Sequence, residues 1–444
     1  MNLNPFKDKY NVLILSLYTL ILLSFYVFDL TNYDKVILYI VNFYLCFTLC
    51  IMFFMRNKYK TVFSLKEIIF IALALRVILM FVNPITSDDY YRYLWDGKVQ
   101  AEGINPYEYS PLELSKLHDK EIYPNVTYPD IKTIYPPVSE MVFYFSYELS
   151  GPNVYALKII YLLFEAGILY FLFLTLRYLK INSNYIFLYT MSPLVLFEFF
   201  INAHVDIIIL FFLSGFIYFS ISKNTGPALL FLSFSVLSKT YSLIFLPLYL
   251  IYLYRSGMDF KNIFIQMFYF MLPLLLLNLY GSSLVNLYLT MGNYMQNWYS
   301  NNLIYVMLNS VINVFNVNDH HIARYILIMF FLTTYFFILR SGFTLLQKLY
   351  LISFFYLFFS HTVHQWYLTL LVLFLPACFS YSAFYWSGII GLTNITVYYY
   401  LNDKAWDDFM PVLVTEYIIL SILIIYDIKK FQSGTREHKL IIKN

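Results

Sequence analysis

Two adjacent carboxylates, Asp88 and Asp89, stand at the start of the longest polar stretch of the chain. Ser87 and Asp88 are residue types that cap helix starts, so a helix is predicted from about 88 to 102. Gly103 is its expected terminating glycine. A carboxylate placed there could act as a general base on a hydroxyl group. A purely structural role for the two acids is an equally open interpretation, because acidic residues at the start of a helix interact favourably with the helix dipole.

The predicted helix places basic and aromatic side chains beside these acids. Spacings of three, four and seven residues put Asp89, Arg92, Tyr93 and Asp96 on one face, with Trp95 on an adjacent one. Arginine suits the geometry of a phosphate group, and aromatic rings suit the faces of sugars. The combination favours chemistry on a lipid-borne sugar.

Three further polar side chains stand in or beside apolar runs, where such groups are costly and tend to be functional. His204 and Asp206 lie just inside a predicted span, and we expect them in a sugar or acceptor site. Lys239 interrupts the apolar run at 227–254. Its ammonium group either snorkels to the membrane surface or binds a lipid phosphate, and the spacing leaves both interpretations open.

Two histidines, His361 and His364, precede Trp366 and Tyr367 near the end of a late apolar run. An interfacial belt of aromatic residues explains this segment without a catalytic role. The alternative is that a histidine binds the phosphate of a leaving group. Zinc is not predicted, because no third ligand is evident.

The amino-acid composition predicts whether these residues lie in a soluble protein or in a membrane protein. Hydrophobic residues make up 60% of the chain and charged residues 12%, against about 45–50% and 25% in soluble proteins. These values exclude a soluble multidomain protein, and the net charge of +3 gives no basic surface for nucleic acid. Repeated apolar runs predict an all-α polytopic membrane protein with about 12–14 transmembrane helices, the lipid bilayer being its partner.

The whole chain, 1–444, is expected to form a single integral membrane domain. Predicted spans follow in chain order at 11–30, 36–55, 65–82, 154–176, 185–200, 203–222, two short helices within 227–254, 262–280, 322–339, 346–360, 367–386, 387–401 and 411–427. A first external loop with surface helices is expected at 83–150, a second external region at 281–321 and a cytoplasmic tail at 428–444. Cations cluster at the other span ends, so the positive-inside rule predicts cytoplasmic termini and an outward-facing site.

The order of these motifs resembles that of C-type (GT-C) polytopic glycosyltransferases, and is particularly similar to bacterial polyprenol-phosphate-mannose-dependent mannosyltransferases. Residues 88–107 carry the acidic pair, an Arg-Tyr-x-Trp-Asp-Gly run and a Gly-x-Asn-Pro-Tyr ending. Further matches follow in order at Tyr135-Pro136-Pro137, Ser192-Pro193-Leu194, Asn202-Ala203-His204-Val205-Asp206, Ser238-Lys239, Trp298 to Asn302 and His364-Gln365-Trp366-Tyr367. Gln365 stands where the family usually has proline.

The resemblance implies a hexosyltransferase of the plasma (inner) membrane. It would transfer a hexose, with mannose expected, from a polyprenyl-phosphate sugar to a lipid-linked or envelope glycan acceptor, with inversion. Asp88 is favoured over Asp89 as the general base. Expected substrate-binding residues are Arg92, Tyr93, Trp95, Asp96, Asn105, Tyr107, Tyr135, His204, Asp206, Lys239, Trp298, His364, Trp366 and Tyr367.

No cofactor and no metal ligand are expected, although two adjacent carboxylates could hold a cation. A transporter or flippase of lipid-linked sugars is one alternative, but it should concentrate polar groups at the middle of the bilayer. A glycan polymerase or ligase is another, and its large external loop is expected late in the chain. The richest polar cluster here lies in an early loop, which favours the transferase.

Overall fold

The computed structural model describes residues 8–433, apart from positions 29, 61–62, 118–119, 316–319, 404–405 and 407. Within these ranges the chain is helical, with no strand beyond a single bridge between Ser300 and Thr362. The expected all-α class is therefore confirmed. The predicted tail cations Arg436, Lys439 and Lys443 lie outside the described residues.

Twenty α-helices make up the described part of the chain. The first ten are α1 (Lys9–Val27), α2 (Asn32–Asn57), α3 (Leu65–Met80), α4 (Asp89–Ala101), α5 (Pro137–Ser150), α6 (Val154–Leu179), α7 (Phe187–Thr190), α8 (Pro193–Phe200), α9 (Asp206–Ile221) and α10 (Thr225–Ser238). The others are α11 (Phe245–Arg255), α12 (Phe260–Leu274), α13 (Leu284–Asn297), α14 (Leu303–Val314), α15 (His320–Arg340), α16 (Leu345–Phe358), α17 (Thr369–Phe374), α18 (Tyr381–Ile389), α19 (Asn394–Asp403) and α20 (Met410–Ser433).

Six helices in the described residues are long and apolar enough to cross a membrane, and five shorter apolar helices accompany them. The six are α1, α2, α6, α12 with its continuation to Leu279, α15 and α20. The chain is thus a polytopic membrane protein, as its composition predicts. The total of about 12–14 spans stays a prediction, since helices of 10–17 residues cross only if they are tilted or paired end to end.

The chain divides into two compact units. The first takes in Met1–Leu79, Leu172–Phe197 and Trp298–Asn444, and the second takes in Met80–Phe171 and Glu198–Asn297. The acidic pair, its helix and Lys239 belong to the second unit. Trp298 and the His364 segment belong to the first.

Helix α4 forms where the residue types predict it, within one residue at each end. Gly103 follows it with a φ of 75°, a left-handed conformation that glycine adopts without strain. Gly97 lies on the side of α4 that meets α5: a Cβ atom there would lie 2.5 Å from the carbonyl oxygen of Phe143. The two helices can pack this closely only because the residue has no side chain.

The predicted span 185–200 is wrong as one continuous helix. The chain forms α7, leaves the helix at Met191 and Ser192, and begins α8 at Pro193. Proline disfavours helical conformation in the residue before it and is well suited to the first position of a helix. The Ser192-Pro193 pair therefore divides the apolar run.

The predicted boundary between spans 367–386 and 387–401 is also wrong. Helix α17 ends at Phe374, and α18 begins after Ser380, whose hydroxyl accepts a hydrogen bond from Ala383 N at 3.0 Å. Pro376 cannot donate a helical hydrogen bond, so the apolar run breaks there. Helix α18 then continues through a 3₁₀ turn into α19 without the predicted break.

Helix α20 runs to Ser433, beyond the predicted end at 427. Asp427, at the predicted end, is buried. Its carboxylate accepts hydrogen bonds from the Ser380 hydroxyl at 2.9 Å and from Ser382 N at 2.8 Å. An acid inside the apolar run is tolerated because it satisfies the exposed amide groups at the start of α18.

Candidate active site

Asp89 opens helix α4 and faces His204, which lies in the turn between α8 and α9. Asp89 Oδ2 lies 3.7 Å from His204 Nδ1, and the other ring nitrogen, Nε2, lies 3.3 Å from Glu198 Oε2. His204 and Glu198 are buried, whereas Asp89 keeps 34% of its side-chain surface accessible. The imidazole ring thus stands between a buried carboxylate and an accessible one, an arrangement suited to holding a proton.

The turn that carries His204 is fixed to the segment before the acidic pair. Asn202 Nδ2 donates to Thr86 Oγ1 at 2.8 Å, and its Oδ1 accepts from Thr86 N at 3.2 Å. Ala203 has a φ of 61°, and His204 N donates to the Glu198 carbonyl at 2.9 Å. A non-glycine residue in this conformation is uncommon and clusters at functional sites. The turn therefore gives the ring a set position relative to α4.

Lys239 pairs with Asp206 across two elements. Helix α10 stops at Ser238, Lys239 is extended, and a 3₁₀ turn follows from Thr240, which confirms the predicted interruption of the apolar run. Lys239 Nζ lies 2.7 Å from Asp206 Oδ1. The lysine keeps 25% of its side-chain surface accessible, while the aspartate is buried. The lysine therefore neutralises a buried acid while part of its side chain remains accessible.

These side chains form what we call the acidic–basic cluster: Asp89, Glu198, His204, Asp206 and Lys239. It holds three carboxylates against one lysine and one histidine, so it is short of positive charge unless protons bind. Although a third of the Asp89 side chain is accessible, the surrounding protein removes much of its hydration; this burial, followed by the charge of Asp88, raises the pKa of Asp89 to about 7, and Lys239 opposes this. A buried excess of like charge is costly, so the cluster retains a proton near neutral pH.

Asp88 has a different environment from its neighbour. It is exposed at the N-cap of α4 and makes no side-chain capping hydrogen bond. Partial loss of hydration raises its pKa. The two acids that sequence alone could not separate are therefore distinct: Asp88 is open to an incoming molecule, and Asp89 is turned towards His204.

The predicted substrate residues Arg92 and Asp96 form a buried ion pair. Arg92 Nε lies 2.9 Å from Asp96 Oδ1, and its Nη1 donates to the Ile131 carbonyl at 2.8 Å. Sequence reasoning missed Glu140 of α5, which accepts from the Thr133 hydroxyl at 2.6 Å. Burial, and then the charge of Asp96, raises the pKa of Glu140 well above its usual value. These groups attach α4 to its loop, and substrate binding by Arg92 stays a prediction.

The aromatic residues of the first loop are mostly internal. Trp95 and Tyr107 are buried, and Tyr107 Oη donates to the Tyr135 carbonyl at 2.7 Å. Asn105 Nδ2 donates to the Tyr280 carbonyl at 3.0 Å. Tyr93 is buried with its ring 5.2 Å from that of Tyr135. They hold the loop in shape, and their predicted contact with substrate is untested.

In the first compact unit, two motifs that are distant in sequence meet. Ser300 N donates to the His361 carbonyl at 3.2 Å, and Val363 N donates to the Ser300 carbonyl at 2.9 Å. The Thr362 hydroxyl donates to the Trp298 carbonyl at 3.3 Å. Burial, followed by the nearby Arg324, lowers the pKa of His361 to about 4. His361 is therefore neutral at physiological pH.

His364, Trp366 and Tyr367 form an aromatic group in this first unit. The His364 ring stacks on Trp366 with a centroid distance of 4.5 Å and lies 5.3 Å from the Tyr367 ring. Gln365, the departure from the family pattern, donates from Nε2 to the Thr393 hydroxyl at 2.7 Å. All four side chains are half-buried, so a part in binding lipid or phosphate stays a prediction.

Fold and cluster together define a class: a polytopic membrane protein with a cluster of ionisable side chains at the start of α4. The chain belongs to the alpha-(1->6)-mannopyranosyltransferase family, because the N-terminal-domain model of that family matches residues 22–255. It is accordingly a mannosyltransferase, a hexosyltransferase. The matched part contains the whole acidic–basic cluster and ends before Trp298 and His364. Comparison with curated proteins and with solved structures gives no match.

Proposed function

We propose that this mannosyltransferase takes its sugar from a polyprenyl-phosphate carrier and transfers it to a lipid-linked or envelope glycan outside the plasma membrane. The observation that carries the proposal is the accessible acid, Asp88, at the start of α4 beside the cluster that contains Lys239. A base and a cation are the two groups that displacement of a lipid phosphate requires. Both groups belong to a chain rich in membrane helices, and a lipid-borne donor resides in the membrane.

The reaction follows from these groups. Asp88 removes the proton from an acceptor hydroxyl, and the oxygen attacks the anomeric carbon of mannose. The bond between that carbon and the phosphate oxygen breaks, and polyprenyl phosphate leaves with the electron pair. A single displacement inverts the configuration, so an alpha-(1->6) product of the kind named for the family requires a beta-linked donor.

The remaining residues of the acidic–basic cluster assist the leaving phosphate and the base. Lys239, with three donors on one ammonium group, binds the phosphate and stabilises the charge that develops on it. His204 and Asp89 face each other beside the base, and a proton retained in the cluster keeps the local charge from becoming too negative. Glu198 holds the imidazole ring from the other side.

The proposed orientation rests on the positive-inside rule. Cations stand at or just past the ends of several apolar helices: Arg56, Arg177, Lys223, Arg255, Arg340 and Lys430. Placing these ends in the cytoplasm puts α4 and its loop on the outer face. Donor, acceptor and catalysis then meet on the same side.

Transfer is tested with the full-length protein in lipid nanodiscs, given polyprenyl-phosphate mannose labelled with ¹⁴C and a mannoside acceptor. Removal of a general base lowers turnover by about 10²–10⁴-fold, and we expect this for Asp88→Asn. Asp89→Asn should retain more activity. Glu102→Gln, an exposed acid just past α4, is the matched control. Equal transfer by wild type and Asp88→Asn would reject this base, and absence of transfer by wild type would reject the donor.

A further inference from the structure

A groove beside the start of α4 has not been assigned a role by the motifs or by the family. It lies within the second unit and has a volume of about 460 Å³, inside the range of about 300–1,000 Å³ typical of small-molecule sites. We call it the α4 groove and use six of its lining residues: Asn83, Tyr90, Tyr91, Ser150, Asn153 and Tyr155.

We propose that the α4 groove is the acceptor subsite and binds a neutral saccharide. The proposal rests on the function proposed above and adds to it the place where the attacking sugar is held. It depends on three properties of the groove: its amide groups, its aromatic faces and its charge.

The amide groups of the groove are held by their oxygen ends. Tyr155 Oη donates to Asn83 Oδ1 at 2.8 Å, and Tyr155 N donates to Asn153 Oδ1 at 2.9 Å. Among the described residues neither Nδ2 group has a hydrogen-bond partner. Each amide therefore keeps its Nδ2 donors for a ligand, which suits the hydroxyl and ring oxygens of a sugar.

The aromatic faces come from helix α4 and from the start of α6. The Tyr90 and Tyr91 rings lie 4.1 Å apart between centroids at an angle of 31°. Both pack partly against a small buried group that includes Leu94 and Ile122. Their rings are therefore fixed while their phenol ends stay polar, and this combination of an apolar face with a polar tip matches the two sides of a hexose.

The charge of the groove lining favours a neutral sugar over a phosphate-bearing ligand. Among the described residues that line the groove there is no lysine, arginine or histidine, and the charged one is Glu121. A phosphate-bearing donor would be repelled by this lining, whereas a neutral polyol would not. Lys239 in the acidic–basic cluster offers the donor a better place.

The groove adjoins the proposed base. Tyr91 N donates to the Asp88 carbonyl at 3.0 Å, so Asp88 and the two tyrosines belong to the same first turn of α4. Burial raises the pKa of Tyr90, and the Asp88 carboxylate adds to the effect. The rings proposed to hold the sugar therefore follow the proposed base within one helical turn.

The test fills the groove without touching the cluster. Ser150→Trp places a large side chain in the lining, and Leu149→Trp, at an exposed neighbour outside the lining, is the control. With octyl α-mannoside as acceptor, we expect Ser150→Trp to raise the acceptor KM by about tenfold or more, equivalent to about 1.4 kcal/mol. The donor KM should change by less than about twofold, and Leu149→Trp should change neither.

A binding measurement separates this proposal from the proposed reaction. Saturation-transfer NMR with methyl α-mannobioside reports sugar contact in nanodiscs without donor or turnover. Signal in wild type and its loss in Ser150→Trp would support the groove even if the polyprenyl-phosphate donor proved wrong. Unchanged acceptor KM and unchanged NMR signal in Ser150→Trp would overturn it. A rise confined to the donor KM would also overturn it, because the groove would then hold the lipid sugar.

Discussion

His204 Nε2 lies 3.3 Å from Glu198 Oε2, and both side chains are buried. The Glu198 carboxylate holds the imidazole ring on one side, and Asp89 faces it on the other. We expect Glu198→Gln to loosen the ring beside the acidic pair, so kcat should fall while the acceptor KM changes little. Glu198→Asp, which retains the carboxylate, should keep more of the wild-type kcat.

The measurement for Glu198 is kcat in nanodiscs, divided by the folded fraction of each preparation. A purely structural role would lower the amount of folded enzyme without changing kcat per folded molecule. An unchanged kcat per folded molecule in Glu198→Gln would therefore contradict the role given to this residue.

Asp89 should make stability depend on pH. Its pKa rises from 3.8 to about 7, chiefly through burial and then through Asp88. Between those values the folded protein binds a proton that the unfolded chain has released. Its favourable contribution is therefore complete below about pH 4 and lost as the pH rises through 7. The apparent melting temperature of Asp89→Asn, taken relative to that of wild type, should therefore increase from pH 4 to pH 8.

The control for this titration is Asp130→Asn, an exposed acid of the same loop. Its melting temperature should follow wild type across the same range. A constant difference between Asp89→Asn and wild type would show that the Asp89 proton is not linked to folding.

Lys239 and Asp206 should behave as a coupled pair. Lys239→Met leaves a buried carboxylate unpaired, which costs about 3–5 kcal/mol, so this variant should melt at lower temperature. Adding Asp206→Asn removes the unpaired charge and should restore much of the stability. The double variant should still show a raised donor KM, because the phosphate has lost its cation. Recovery of the donor KM along with stability would assign Lys239 a structural role alone.

Gly97 should tolerate no side chain. Gly97→Ala would place a Cβ atom 2.5 Å from the Phe143 carbonyl oxygen, so α4 and α5 must separate. Overpacking of this kind costs about 1–3 kcal/mol, and activity should fall because α4 carries the acidic pair. Gly292→Ala in α13, where nothing lies within 4 Å, is the matched control and should be neutral or stabilising. Equal melting temperatures would contradict the close packing.

Local signals predicted much of the second unit. The caps and the glycine around α4, and the interruption at Lys239, depend on residues near in sequence, so their positions were read correctly. The pairing of Lys239 with Asp206 joins two separate elements, and no spacing rule reaches across them. Glu140 was missed for the same reason. Its interaction with Thr133 becomes visible only when α5 packs on α4.

Prolines explain the main errors in helix boundaries. Hydropathy averages over about 20 residues, so it joins apolar segments that Pro193 and Pro376 divide. The true ends became visible only through hydrogen bonds such as that between Ser380 and Ala383. The opposite error occurred at the end of α20, which runs past 427 to Ser433, while Asp427 caps another helix.

The bridge between Ser300 and Thr362 has a consequence for motion. Two backbone hydrogen bonds, from Ser300 N to the His361 carbonyl and from Val363 N to the Ser300 carbonyl, join the Trp298 segment to the segment before α17. Each contributes about 0.5–1.5 kcal/mol net, so the separated arrangement is a minor population. A ligand that displaces one of the two segments must therefore either break these hydrogen bonds or carry the other segment with it.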